Sequence, residues 1–159
     1  MSPFSIRAAV AGDEHTLFEL IQALARFEHL EDGVTGSAHE LRQHLFGSDG
    51  AVGGRPVAEA LLAEEGGAAI GFALFFTNFS TFLTRPGIYL EDLFVLESHR
   101  RQGVGRALLA EVRRIAEARG AGRLEWAVLD WNTAAIDFYR GIGADVMPDW
   151  RLCRVRLRR

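Results

Sequence analysis

Between Ile88 and Ala118 an apolar strand, a glycine-bearing turn and an amphipathic helix follow one another without interruption. No other part of the chain restricts the fold as much. Ile88-Tyr89-Leu90-Glu91-Asp92-Leu93-Phe94-Val95 is rich in branched and aromatic side chains, which suit a pleated, covered surface. From Val104 to Ala118, Leu108, Leu109, Val112 and Ile115 fall on one helical stripe, and Gly120 supplies the stop. A strand handed to a helix in this way needs a sheet for the helix to cover.

The remaining segments supply that sheet. Phe4 to Ala9 reads as a strand, followed by a helix that Asp13 caps and that places Leu17, Leu20, Ile21 and Leu24 at helical spacing up to about Phe27. Ser37 with Glu40 three residues on predicts a capping box for a second helix through Phe46. Gly47 to Gly54 reads as a loop. Val57 to Ala63 and Ala68 to Phe79 are strand-like and joined by Glu65-Gly66-Gly67, whose glycines permit a hairpin turn and hence antiparallel pairing. Arg85-Pro86-Gly87 ends a further loop. Leu124 to Leu129 predicts a strand, Asn132 caps a helix containing Ile136, Phe138 and Tyr139, and terminal strands are expected around 144–147 and 150–157. The pattern is mixed α/β (α+β), a largely antiparallel central sheet flanked by helices. With no repeat, low-complexity tract or linker, residues 1–159 are expected to form a single domain.

Composition narrows the class. Of 159 residues 48% are hydrophobic and 25% charged, enough for one compact core. A formal net charge of −3 argues against nucleic acid as partner, since displacing phosphate counterions needs a basic face. The single cysteine, Cys153, excludes an intrachain disulfide and is expected as a small core residue. The amino terminus lacks a signal-like apolar run and the longest apolar stretch is too short to span a bilayer, so a cytoplasmic protein with no membrane partner is expected. The histidines show no metal-binding spacing, so no metal is expected. Trp126, Trp131 and Trp150 are expected as packing anchors, and the basic carboxyl terminus as a solvated face.

Arg100-Arg101-Gln102-Gly103-Val104-Gly105-Arg106 places backbone N–H groups at the positive end of a helix, with arginines in reach of further anionic oxygens. A pyrophosphate fits such a turn, and a flexible helix-starting loop is the alternative. A dinucleotide fingerprint would need its glycines directly after the strand and a third at Leu108, and no Gly-Lys-Ser or Gly-Lys-Thr sequence is present. In the preceding strand, Glu91 and Asp92 point to opposite faces by alternation, so one of them is expected to face a cavity. A carboxylate there needs a cation, either an amine ligand or a buried arginine. Glu28, Glu31 and Asp32 crowd the negative end of the first helix, where they either attract a cationic amine or form a solvated loop.

The R-x-x-G-x-G turn is similar to that of the GNAT acetyltransferases. LARFEHLED, YLEDLFV, HRRQGVGRALL and LEWAVLDWNTAAIDFYRGIGA resemble the branch holding the diamine (spermidine/spermine) and thialysine acetyltransferases. The resemblance extends over essentially the whole chain. It implies a GNAT-like fold and transfer of acetyl from acetyl-CoA to the primary amine of a small cationic substrate. Backbone groups of Leu93, Phe94 and Val95 would then hold the pantetheine arm. Arg100, Arg101, Gln102, Gly103, Val104, Gly105 and Arg106 would hold the pyrophosphate, and Asn132 would also contact CoA. Phe27, Glu28, Glu91 and Asp92 would line the amine side, with Glu91 as base and Tyr139 as acid to the departing thiolate. A homodimer is implied too. Phe27 stands where the animal polyamine enzymes have tyrosine, and the loop 78–83 lacks their acidic residue, so polyamine-like and thialysine-like amines both remain open. A GNAT acting on protein lysine or another amino acid, and a non-catalytic acyl-CoA sensor, are the competing readings.

Overall fold

The computed structural model describes residues 3–47 and 56–158, in two compact units, Met1–Trp126 and Ala127–Arg159. In the first unit, strands β1 (Phe4–Ala8), β2 (Glu59–Glu65), β3 (Ala68–Ser80), β4 (Arg85–Val95) and β5 (Leu124–Glu125) lie in that order in one sheet. The first three junctions are antiparallel and β4 pairs with β5 in parallel. Helices α1 (Glu14–Glu28), α2 (Ala38–Leu45) and α3 (Val104–Ala118) complete this unit.

Strand alternation divides the core. Leu17, Leu20 and Leu24 of α1 and Leu45 of α2 bury against Ala60, Leu62, Phe72, Leu74 and Phe94 of the sheet. The alternate residues Leu61, Ala63 and Phe75 are equally buried but outside this cluster. α3 packs on β1 to β4 through Val104, Leu108, Leu109, Val112 and Ala116. Period-2 strands with two apolar faces thus meet period-3.6 stripes from either side.

Local chemistry sets the boundaries. Gly66 and Gly67 have φ of 57° and 82°, the two positive values a tight hairpin turn requires between Glu65 and Ala68. At α2 the expected cap forms, with the Glu40 N–H donating to Ser37 Oγ at 3.2 Å. Asp13 departs from expectation: it makes no side-chain cap to α1 but takes Arg7 at 2.7 and 3.0 Å and the Val10 N–H at 2.8 Å. A bidentate fork to a guanidinium offers two charged donors where a cap offers one backbone N–H, so the carboxylate is drawn to β1. Residues 85–87, expected as loop, belong to β4, where Gly87 is required because a Cβ would lie 2.5 Å from Asn78 Oδ1 and 3.1 Å from the Arg123 carbonyl. The predicted loop from Gly47 to Gly54 lies outside the described residues from 48 onward.

Two strand expectations are corrected. The one over Leu124–Leu129 shrinks to Leu124–Glu125, which pair with Ile88 and Tyr89 ahead of the bend that a register shift puts into β4 at Glu91. Those around 144–147 and 150–157 are absent from the second unit, whose described residues form helix α4 (Thr133–Gly141) and otherwise no strand. An alternating sequence without a ladder partner forms no regular structure here: Leu152, Val155 and Leu157 are exposed, as are Trp150 and Cys153, which are therefore neither a packing anchor nor a core residue.

Candidate active site

The bend in β4 is a β-bulge. Leu74 pairs with Asp92 and Phe75 with Leu90, which leaves Glu91 as the extra residue with no partner on β3. On the other edge β5 pairs only with Ile88 and Tyr89, so beyond Tyr89 that edge of β4 meets no strand within the first unit. Strict alternation would have sent Glu91 and Asp92 to opposite faces; the bulge re-aims them. Glu91 is exposed and Asp92 half-buried.

Asp92 sits in a costly environment. Burial pushes its carboxyl up to about 7, and the charges of Glu91 and Glu28 add to the rise. Glu28, in the last turn of α1, is itself raised by burial. None of the three forms an ion pair among the described residues, whose arginine bridges go to other carboxylates. The arginine bridge left open by the sequence does not form there. Tyr89, which the sequence did not mark, has a phenol raised by burial and then by Glu91 and Glu125, and its ring lies 5.3 Å from that of Phe76. Its place two residues before Glu91 on an apolar strand was the available signal.

The turn into α3 presents the opposite polarity. Gly103 precedes the helix with φ 84° and Arg101 also has positive φ, 61°. No side chain caps the helix and its first turn holds no acidic residue, so the leading N–H groups are unsatisfied by side chains. Arg101, Gln102 and Arg106 are exposed, and neither arginine has an ion-pair partner among the described residues. The two glycines differ in kind. Gly103 is demanded by its left-handed backbone, whereas a Cβ on Gly105 would meet only Val95 Cγ2 at an ordinary 3.8 Å. Among the described residues nothing requires glycine at 105.

Leu93, Phe94 and Val95 run between these two regions, paired on β3 with Ala73, Phe72 and Gly71. That ladder is close: a Cβ on Gly71 would lie 2.7 Å from the Phe94 carbonyl. Arg100 turns inward, its Nε donating to the Val95 carbonyl at 3.0 Å and its guanidinium 4.2 Å from the Phe27 ring centre. Phe27, Glu28, Asp92 and the turn residues therefore belong to the first unit. Asn132 and Tyr139 belong to the second. Asn132 caps α4, accepting the Ala135 N–H at 3.2 Å, and Tyr139 is buried with its ring 5.4 Å from that of Phe138. Among the described residues no helix is long and apolar enough to cross a membrane, and no cluster of His, Cys, Asp and Glu is arranged to hold a metal.

An anion-seeking helix end joined by an open strand edge to unpaired carboxylates suits a substrate pair of opposite charge. The chain is 36% identical over 152 residues to the thialysine N-epsilon-acetyltransferase of Bos taurus, a match covering 91% of this chain and 85% of that one. With the L-ornithine N5-acetyltransferase of Arabidopsis thaliana it shares 51% identity over 85 residues, covering 54% of this chain and 37% of the plant protein. The solved structure of AAC(6')-Iy in complex with the bisubstrate analog CoA-S-monomethyl-acetylneamine superposes with a TM-score of 0.71 at 22% identity, covering 97% of this chain and 99% of that one. Residues 19–144 match the profile described as the Acetyltransferase (GNAT) family, and with the sheet, the bulged strand and the uncapped α3 turn in place, the chain belongs to that family of acyltransferases.

Proposed function

We propose that this protein is an acetyl-CoA-dependent N-acetyltransferase acting on the primary amine of a small cationic substrate, by direct attack in a ternary complex. The observation that carries this reading is the set Glu28, Glu91 and Asp92, carboxylates without a cationic partner among the described residues beside the open edge of β4. A protonated amine supplies the missing charge. The named substrates of the relatives, thialysine and ornithine, are amines of this size, and a polyamine meets the same requirement.

The residues divide the work. Backbone N–H groups of 103–106, with the side chains of Arg101, Gln102 and Arg106, bind pyrophosphate, and the free edge of Leu93, Phe94 and Val95 takes the amide-bearing arm as an added strand. A CoA thioester supplies an activated acetyl group. An ammonium has no lone pair, so a base must take its proton; Glu91 does so directly or through water, with Phe27, Glu28 and Asp92 holding the cation. A second assignment has its own support: Asp92, pushed up to about 7, has the basicity that general-base catalysis favours near neutral pH. A β4 N–H stabilises the oxyanion, Asn132 contacts the cofactor, and Tyr139 returns a proton to the departing sulfur. Residues 1–159 act as one catalytic domain, which the family match across 19–144 supports, and as a cytoplasmic homodimer.

Steady-state rates with acetyl-CoA and thialysine, ornithine, lysine, putrescine, spermidine and spermine test the reading. Turnover of at least one of these small amines is expected. Tight CoA binding without turnover of any of them would instead support an acyl-CoA sensor or a protein-directed enzyme.

A further inference from the structure

We propose that Arg100 is a positioning residue that locks the amine-side end of α1 to the cofactor turn, rather than a ligand of phosphate; the inference rests on the reaction proposed above. Its guanidinium meets three residues on two elements, α1 and β4. Nε donates to the Val95 carbonyl at 3.0 Å, and Cζ lies over the Phe27 ring of α1, 4.2 Å from its centre, and 5.6 Å from that of Phe94 on β4. Phe27 and Phe94 are also ring neighbours, 6.4 Å apart, and Phe94 meets Phe72 of the core at the same distance.

Each contact has a consequence. Arg100 lies directly before Arg101 at φ 61° and three residues before Gly103 at φ 84°, so fixing its side chain fixes the entry to the anion-binding turn. Phe27 is bonded to Glu28, one of the carboxylates around Asp92. α1 ends at His29 with φ 58°, its last N–H bonds to Ala25 and Arg26. The stack on Phe27 therefore ties this helix end, already closed by its own left-handed cap, to the segment that enters the turn. Only arginine can donate from a fixed Nε while laying a planar cation on an aromatic face; lysine keeps the charge but not the shape. Arg101 and Arg106, exposed beside the same turn, are left to meet phosphate.

The test uses the full chain, with acetyl-CoA as one probe and, as the other, the best amine of the screen above. In Arg100→Lys, kcat is expected to fall about 10- to 100-fold through misplacement of the amine side, with acetyl-CoA Kd changed less than about threefold. Phe27→Leu should reproduce this pattern, and the double variant should be no worse than either single one, the mark of a shared interaction. Hydrogen–deuterium exchange gives a readout apart from turnover: CoA should slow exchange at residues 26–30 of wild type but not of Arg100→Lys, at matched melting temperature. A Kd raised about tenfold or more with protection of 26–30 intact makes Arg100 a phosphate ligand and overturns the proposal, as do fully additive effects of the two substitutions. If wild type binds no CoA, the proposed reaction fails by itself. The ligand-free protein then still decides, since Arg100→Lys must speed exchange at 26–30 and at 97–106 together, and unchanged exchange refutes the lock.

Discussion

Glu28, in the last turn of α1, adds its charge to that of Glu91 in holding the Asp92 carboxyl on β4 above its ordinary range. Residues far apart in sequence thus form one acidic environment, and burial of Asp92 makes the largest contribution to it. Such an arrangement destabilises the empty protein and is relieved by a bound cation.

The first prediction concerns stability. Because the Asp92 carboxyl titrates near 7 when folded and near 3.8 when free, the folded state holds a proton that the unfolded state has released between those values. Stability from this group is therefore lost as pH rises from about 4 to about 7, and the penalty is complete above that. Asp92→Asn should raise unfolding free energy at pH 8 by roughly 2 to 4 kcal/mol and leave it nearly unchanged at pH 4. Urea melts at the two pH values read the difference, and equal shifts at both would show that Asp92 is not buried as a strained acid.

Glu91 and Asp92 can be separated as bases by pH–rate profiles. If Glu91 takes the proton, Glu91→Gln loses most rate at low pH, where the amine is wholly ammonium, and recovers part of it as pH rises. If Asp92 is the base, the wild-type profile has an acidic limb near 7 that Asp92→Asn abolishes and Glu91→Gln moves downward, since a like charge has been removed. A wild-type profile retained in both variants assigns deprotonation to the solvent.

The glycines of the turn should separate by mechanism. Gly103→Ala, at φ 84°, should cost about 1 to 2 kcal/mol of folding stability because its backbone is left-handed. Gly105→Val should fold nearly as wild type, as its Cβ meets only Val95 Cγ2 at 3.8 Å, yet weaken CoA by about tenfold or more. Calorimetry with CoA on the folded Gly105→Val protein decides, and unchanged affinity would remove the turn from the cofactor site.

Tyr139→Phe should lower turnover by roughly 100-fold while preserving acetyl-CoA affinity, because it deletes a proton donor but keeps the ring beside Phe138. Single-turnover kinetics make chemistry the measured step. A variant with wild-type single-turnover rates has no use for the phenol as acid.

What the sequence determined was whatever depends on neighbours along the chain. The leucine stripes of α1 and α3, the Gly66-Gly67 turn, the Ser37 and Asn132 caps and the glycine turn before α3 are all set within a few residues, and periodicity or backbone preference shows them directly. Extra residues in a ladder, and the loss of a ladder, belong to strand pairs. Alternation alone placed Glu91 and Asp92 on opposite faces, because nothing in YLEDLFV says that Leu74 and Phe75 skip over Glu91. The same pairing information decided that β5 stops at Glu125 and that the alternating carboxyl terminus finds no strand partner among the described residues. Asp13 was drawn from its cap by Arg7 of the preceding strand, and Arg100 from the turn by Phe27 of α1. Charges and rings act through space, so where a side chain of long reach settles is decided by which elements the folded chain brings beside it.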